Sequence, residues 1–137
     1  EYIENSNIGS CTKFIGKIDE SEKAHLLHRA DLFLMPSYQV SNSLEGFGIS
    51  YIEAASYGIP AIAGIAGGAP EAVSNGKTGW CVDGSDERAI EAALKNALAD
   101  STQRQLFGKL AQERFDRVFE GNVVFSQLLF ALENTLK

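Results

Sequence analysis

Two short, unbroken apolar runs stand out in a chain whose other apolar residues mostly recur every three or four positions. They are Asp31-Leu32-Phe33-Leu34-Met35 and Pro60-Ala61-Ile62-Ala63-Gly64. A run without alternation suits a strand covered on both faces, as in a parallel sheet between helices. Two further short strands are expected at Thr12–Gly16 and at Thr78–Val82, where glycines bound the apolar stretch. Glu1 to Ser10 reads as the tail of a helix and a loop. Glu20 to Arg29 has helical spacing, with Asp19 or Ser21 as its cap and Ala24, Leu27 and His28 on the inner face.

Gly48 to Tyr57 repeats the helical pattern through Ile49, Ile52, Glu53 and Ser56, and Gly58-Ile59-Pro60 terminates it. Pro70 sits at a first helical position and opens a brief helix that fades at Asn75-Gly76. Beyond Asp83-Gly84-Ser85 come three amphipathic helices near 86–99, 101–115 and 121–136, the last two making a helical tail. Strand and helix alternate up to residue 82, the order of an α/β fold with a Rossmann-like parallel sheet and flanking helices. The 137 residues make one domain. In the usual strand order of such folds the earliest strand is central, so four strands preceded by a helix tail suggest a sheet lacking its first strands. Residues upstream of Glu1 are therefore expected in the complete protein.

The candidate chemistry concentrates in Ser43-Leu44-Glu45-Gly46-Phe47-Gly48-Ile49-Ser50-Tyr51-Ile52-Glu53. Glycines here lead straight into a helix, and a helix start offers unpaired N–H groups and partial positive charge to a phosphate. Glu45 and Glu53 stand beside that seat, eight positions apart. A carboxylate's two oxygens match a pair of hydroxyls. Phosphate together with hydroxyls describes a sugar nucleotide, although an acid near a helix start also serves simply as a dipole partner.

Composition narrows the partners. The net charge is −6 with acids and bases interspersed, which argues against a nucleic-acid surface. No run of about eighteen apolar residues and no secretory signal is present, so an intracellular, cytoplasmic domain is expected. Cys11 and Cys81 lie far apart without the spacing of a metal or redox pair and are expected to be small buried residues. His25 and His28 have no ligand partners nearby in sequence, and no metal is expected.

Several motifs in order then carry a family resemblance. Pro36-Ser37, Glu45-Gly46-Phe47-Gly48 with Glu53-Ala54, Gly58-Ile59-Pro60, Gly67-Gly68-Ala69-Pro70-Glu71-Ala72-Val73 and Asn75-Gly76-Lys77-Thr78-Gly79-Trp80 resemble the donor-binding, C-terminal half of retaining GT-B glycosyltransferases. Glu45 and Glu53 match that family's E-x7-E motif, and the last helix resembles the one that crosses back to the other domain. The resemblance implies a nucleotide-sugar donor, with Glu45 at the sugar as the catalytic position. It puts Gly46, Phe47, Gly48, Ile49 and Ser50 at the sugar and diphosphate, Glu53 at the ribose, and Gly16, Lys17 and Ile18 at the nucleobase. Gly67-Gly68 either borders the sugar or forms a plain turn. Trp80 and Phe107, Phe115, Phe119, Phe125 and Phe130 are expected to pack the interior and the late helices.

In that family an arginine and a lysine from an earlier segment stabilise the leaving diphosphate, and an N-terminal domain holds the acceptor. This sequence contains neither segment, and Lys13 and Lys17 do not match their position. Removing one preorganised charge from a transition state costs about a hundred- to a thousandfold, so the 137 residues alone are expected to be inactive. The resemblance implies no cofactor, a glycan or lipid acceptor, and room for peripheral association of the full protein with the inner face of a membrane. The loop Gly64–Glu71 is similar to that of GDP-mannose users, which tilts the donor toward GDP-mannose over a UDP-sugar. The alternatives are a non-catalytic relative that binds nucleotide or sugar to regulate a partner, and a dinucleotide-binding oxidoreductase. The oxidoreductase lacks G-x-G-x-x-G at Gly16-Lys17-Ile18.

Overall fold

The computed structural model describes residues 8–39 and 46–135. Helix α1 (Glu20–Arg29) is followed by strand β1 (Phe33–Met35), helix α2 (Ile49–Ser56), strand β2 (Ala61–Gly64), helix α3 (Ala69–Ala72) and strand β3 (Gly79–Val82). Helices α4 (Glu87–Ala99) and α5 (Ser101–Arg114) follow, then a π-turn over Phe115–Phe119 and helix α6 (Gly121–Thr135). The strands form a parallel sheet in the order β1-β2-β3, with Leu34 beside Ile62 and Ile62 beside Trp80.

The middle strand explains the unbroken apolar run, because every residue of β2 is buried. Ala61 and Ala63 face α2 and α3 in a cluster with Tyr51, Ile52, Ala69, Ala72 and Val73. Ile62 faces the other way, against Ala93 and Ala97 of α4. Trp80 is half-buried and its ring lies tilted 4.9 Å from Phe107 of α5, which places it in the packing expected of it.

Local signals set the helix ends. Asp19, not Ser21, caps α1: its carboxylate accepts from the Glu22 amide at 2.8 Å while Glu22 accepts from the Asp19 amide at 3.3 Å, a capping box. On α1, Ala24 and Leu27 are half-buried, whereas His28 is exposed and leans edge-on against Tyr57. Asp86 and Asp100 cap α4 and α5. Gly58, at φ 71°, ends α2 as the spacing predicts.

Several expectations are corrected. Among the described residues three strands form instead of four: residues 12–16 make no ladder, and Phe14 is 81% exposed. A strand needs a neighbour to take its backbone groups, and β1 is paired only with β2 among the described residues. At Gly9–Cys11 the chain makes a 3-10 turn; residues 1–7 lie outside the described ones. Helix α5 runs directly into the π-turn, closed by a 2.9 Å bond from the Glu120 amide to the Phe115 carbonyl. Phe125 and Phe130 are 59% and 70% exposed, so α6 presents them outward while Phe107, Phe115 and Phe119 pack inside. Cys11 is exposed and Cys81 only half-buried.

Two measurable consequences follow. The Cys81 thiol donates to the Val73 carbonyl at 3.3 Å and burial raises its pKa, so little thiolate is available. Iodoacetamide at pH 8 is expected to modify Cys11 well before Cys81, as read by mass spectrometry. Tyr51, 1% exposed, donates its hydroxyl to the Met35 carbonyl. Because that carbonyl also accepts from the Ser37 amide, Tyr51→Phe is expected to cost about 0.5–1.5 kcal/mol in urea denaturation, not to unfold the protein.

Candidate functional site

The site is built around the start of α2. Gly48 precedes the helix in the left-handed conformation, φ 77° and ψ 56°, and turns the incoming loop sharply into Ile49. A Cβ at Gly48 would also overlap the Tyr51 ring, so backbone angle and space both require glycine. Ile49 and Ser50 form the open first turn of α2, and Ile49 is 69% exposed.

Gly68 supports this loop from the other side. It is buried, and a Cβ there would run into the Gly46 carbonyl and come within 2.8 Å of the Phe47 Cα. The two glycine-bearing loops are thus in backbone contact at the C-terminal ends of β1 and β2, the ordinary address for a nucleotide in an open α/β sheet. Gly67-Gly68 does more than turn the chain, since its second glycine is the seat of the Gly46–Gly48 loop.

Glu53 lies farther along α2. Its Oε1 accepts from Lys23 Nζ at 2.8 Å, and Lys23 also reaches Glu20 at 2.8 Å. The hydrogen bonds from Glu20 and then Glu53 raise the Lys23 pKa above the usual lysine range, so this amine stays charged. The ion pair joins α1 to α2 and holds one oxygen of Glu53, which is half-buried.

The predicted residues fall into separate groups. Gly46 to Ser50 are brought together and Glu53 follows on the same helix. Gly16 (φ 63°) and Lys17 are exposed and Ile18 half-buried; Lys17 and Ile18 line a cleft of about 630 Å³ with Lys13, Phe14, Ser21 and His25. Glu45 lies outside the described residues. Among the described residues no three His, Cys, Asp or Glu side chains come together as metal ligands would.

Three contributors were missed by the sequence reading. Lys23 had a faint signal, an acid three positions earlier on a helix. Arg114 had none: it reaches over forty residues back to donate to the Glu71 and Ala72 carbonyls at 2.6 and 2.7 Å. Phe119 reads only as packing, yet its ring stands 5.8 Å from that of Phe47.

The Glycosyl transferases group 1 family pattern matches residues 1–114. The chain belongs to that family. It is 31% identical over 131 residues to the GDP-mannose-dependent monoacylated alpha-(1-6)-phosphatidylinositol monomannoside mannosyltransferase of Corynebacterium glutamicum, covering 94% of this chain and 34% of that protein. To the glycogen synthase of Mycobacterium tuberculosis it is 35% identical over 114 residues, 83% of this chain and 26% of the other. The sucrose-phosphate synthase of Thermosynechococcus elongatus superposes with a TM-score of 0.82 at 29% identity, over 99% of this chain and 33% of that one. The chain therefore spans about a quarter to a third of these relatives, and its open parallel sheet with flanking helices matches the C-terminal Rossmann-like half of GT-B glycosyltransferases.

The close approach of Gly68 makes the loop contact testable. Gly68→Ala is expected to destabilise the protein by about 1–3 kcal/mol in thermal unfolding, because the neighbour it strikes is backbone. Gly46→Ala, with nothing within 4 Å of the new methyl, is expected to leave unfolding unchanged.

Proposed function

We propose that this chain is the donor-binding half of a retaining glycosyltransferase and that it holds a nucleotide-sugar, GDP-mannose in preference to a UDP-sugar. The observation that carries the reading is the left-handed Gly48, which opens α2 beside a loop seated on Gly68. That arrangement leaves the first amides of an eight-residue helix available to a diphosphate. The GDP-mannose dependence of the Corynebacterium relative supports the donor choice.

In this reading the diphosphate lies against the amides of Gly48, Ile49 and Ser50, and the sugar lies over Gly46 and Phe47. Glu45 accepts from the sugar hydroxyls. Glu53 offers its second oxygen to the ribose hydroxyls while Lys23 holds the first. Gly16, Lys17 and Ile18 border the base. The anomeric carbon–oxygen bond to phosphate breaks as the acceptor oxygen bonds on the same face, and the acceptor's proton passes to the departing phosphate. No metal is assigned to the step.

The family resemblance assigns the positive charge for the departing diphosphate to an arginine and a lysine of an earlier segment. Lys23 is held between two carboxylates, and Arg114 is spent on two carbonyls. The 137 residues are accordingly proposed to bind donor without transferring it, with the acceptor, a glycan or a lipid, held by another part of the protein.

Titration calorimetry on the full-length protein tests this. GDP-mannose is expected to bind more tightly than UDP-glucose. Replacing a charged hydrogen-bond partner is worth about 1.5–3 kcal/mol, so Glu53→Gln should weaken GDP at least tenfold and weaken 2′-deoxy-GDP much less. Equal losses for the two nucleotides would remove Glu53 from the ribose. Gly46→Ala should raise the Kd for the nucleotide-sugar while leaving GDP unchanged. Tight binding with no transfer to any acceptor by the full-length protein would favour the regulatory alternative.

A further inference from the structure

The Gly46–Gly48 loop is fixed from a second direction, by residues far away in the chain. Phe119, the last residue of the π-turn, sets its ring edge-on to Phe47, with centroids 5.8 Å apart and planes at 67°. The Arg114 guanidinium stands 4.6 Å above the Phe119 ring. The same guanidinium donates to the last carbonyls of α3, Glu71 at 2.6 Å and Ala72 at 2.7 Å. Helix α3 is in turn the element entered through Gly68, which seats Gly46 and Phe47. Phe47 thus rests between two supports, Gly68 and Phe119, and Arg114 ties those supports to each other.

We propose that Arg114 and Phe119 are positioning residues for the Gly46–Gly48 loop, so that the junction of α5 with α6 sets how tightly the site holds the diphosphate-sugar part of its ligand. The proposal rests on the donor-binding reading above. Arg114 acts through Phe119 and α3, not by touching the ligand, because its donors are engaged by backbone carbonyls and its face by a ring. A π-turn suits the task, since such interruptions in an α-helix recur at functional sites. The π-turn brings Phe115 and Phe119 onto the cluster that also holds Tyr51, whose ring underlies Gly48. Movement of α6, whose closest described partner is the π-turn, would reach the loop by this route.

The test uses Phe119→Leu, which keeps apolar bulk but removes the ring, and Phe119→Tyr, which keeps it, in the full-length protein. An edge-to-face pair accounts for a change of roughly two- to tenfold in an equilibrium. Phe119→Leu is expected to raise the Kd for nucleotide-sugar and nucleoside diphosphate by that factor, with the nucleoside monophosphate little changed and Phe119→Tyr close to wild type. Hydrogen exchange at the Phe47, Gly48 and Ile49 amides should quicken in Phe119→Leu and in Arg114→Lys. A lower melting temperature with unchanged exchange and unchanged Kd would make the contact mere packing and overturn the proposal. Should the wild type bind no nucleotide-sugar, the donor reading fails; the exchange rates then decide the positioning claim alone, and unaltered rates reject it.

Discussion

Tyr51 is the contact on which the site's geometry depends. Its side chain is buried between the sheet and α2, with the ring edge-on to Phe33 at 5.8 Å and the hydroxyl on the Met35 carbonyl beside Ser37. These contacts lock the first turn of α2 to the end of β1. They also dictate the residue that precedes the helix, because the ring occupies the space a Cβ at Gly48 would need. The sharp entry of the loop is thus set by one aromatic side chain and the glycine it demands. Helix α2 would otherwise be weakly placed: it is short, and Gly48 supplies no side-chain cap.

Support then spreads outward through small residues. The alanines of β2 let α2 and α3 approach the sheet, and Gly68 lets α3 approach the loop. Charge plays a more local part. Lys23 stitches α1 to α2 through Glu53, while Arg114 satisfies the end of α3, a helix too short to have much dipole of its own. Burial and the nearby Arg117 lower the Arg114 pKa, yet a guanidinium keeps its proton under ordinary conditions.

Much of this architecture was legible in the sequence, and the failures share a cause. Runs such as Ala61–Gly64 and the spacing of Glu20–Arg29 announce their structure because the signal is local, as do Gly58 and Asp19 at helix ends. Residues 12–16 carry an equally good strand pattern and fail to form one, since pairing is a property of two segments and no neighbour is at hand among the described residues. Likewise Phe125 and Phe130 belong to an amphipathic helical pattern, but such a pattern says only that an apolar face exists, not that anything covers it. In the site, Gly48 and its helix could be read because a glycine before an apolar helix is a chain-level sign. The partners of Glu53 and Phe47, Lys23 and Phe119, lie 30 and 72 positions away, and no pattern in one sequence links them.

The seat of Gly46 and Phe47 on Gly68 is backbone against backbone, and that fixes what kind of change the site can absorb. Side-chain contacts can be retuned by exchanging one shape for another. A joint with no side chain in it has nothing to retune: it tolerates drift in charge or polarity around it and refuses added volume at Gly68. Exposed residues such as Ile49, beside that loop, and Ile65, in the loop before Gly68, can therefore change while the frame that presents them stays fixed.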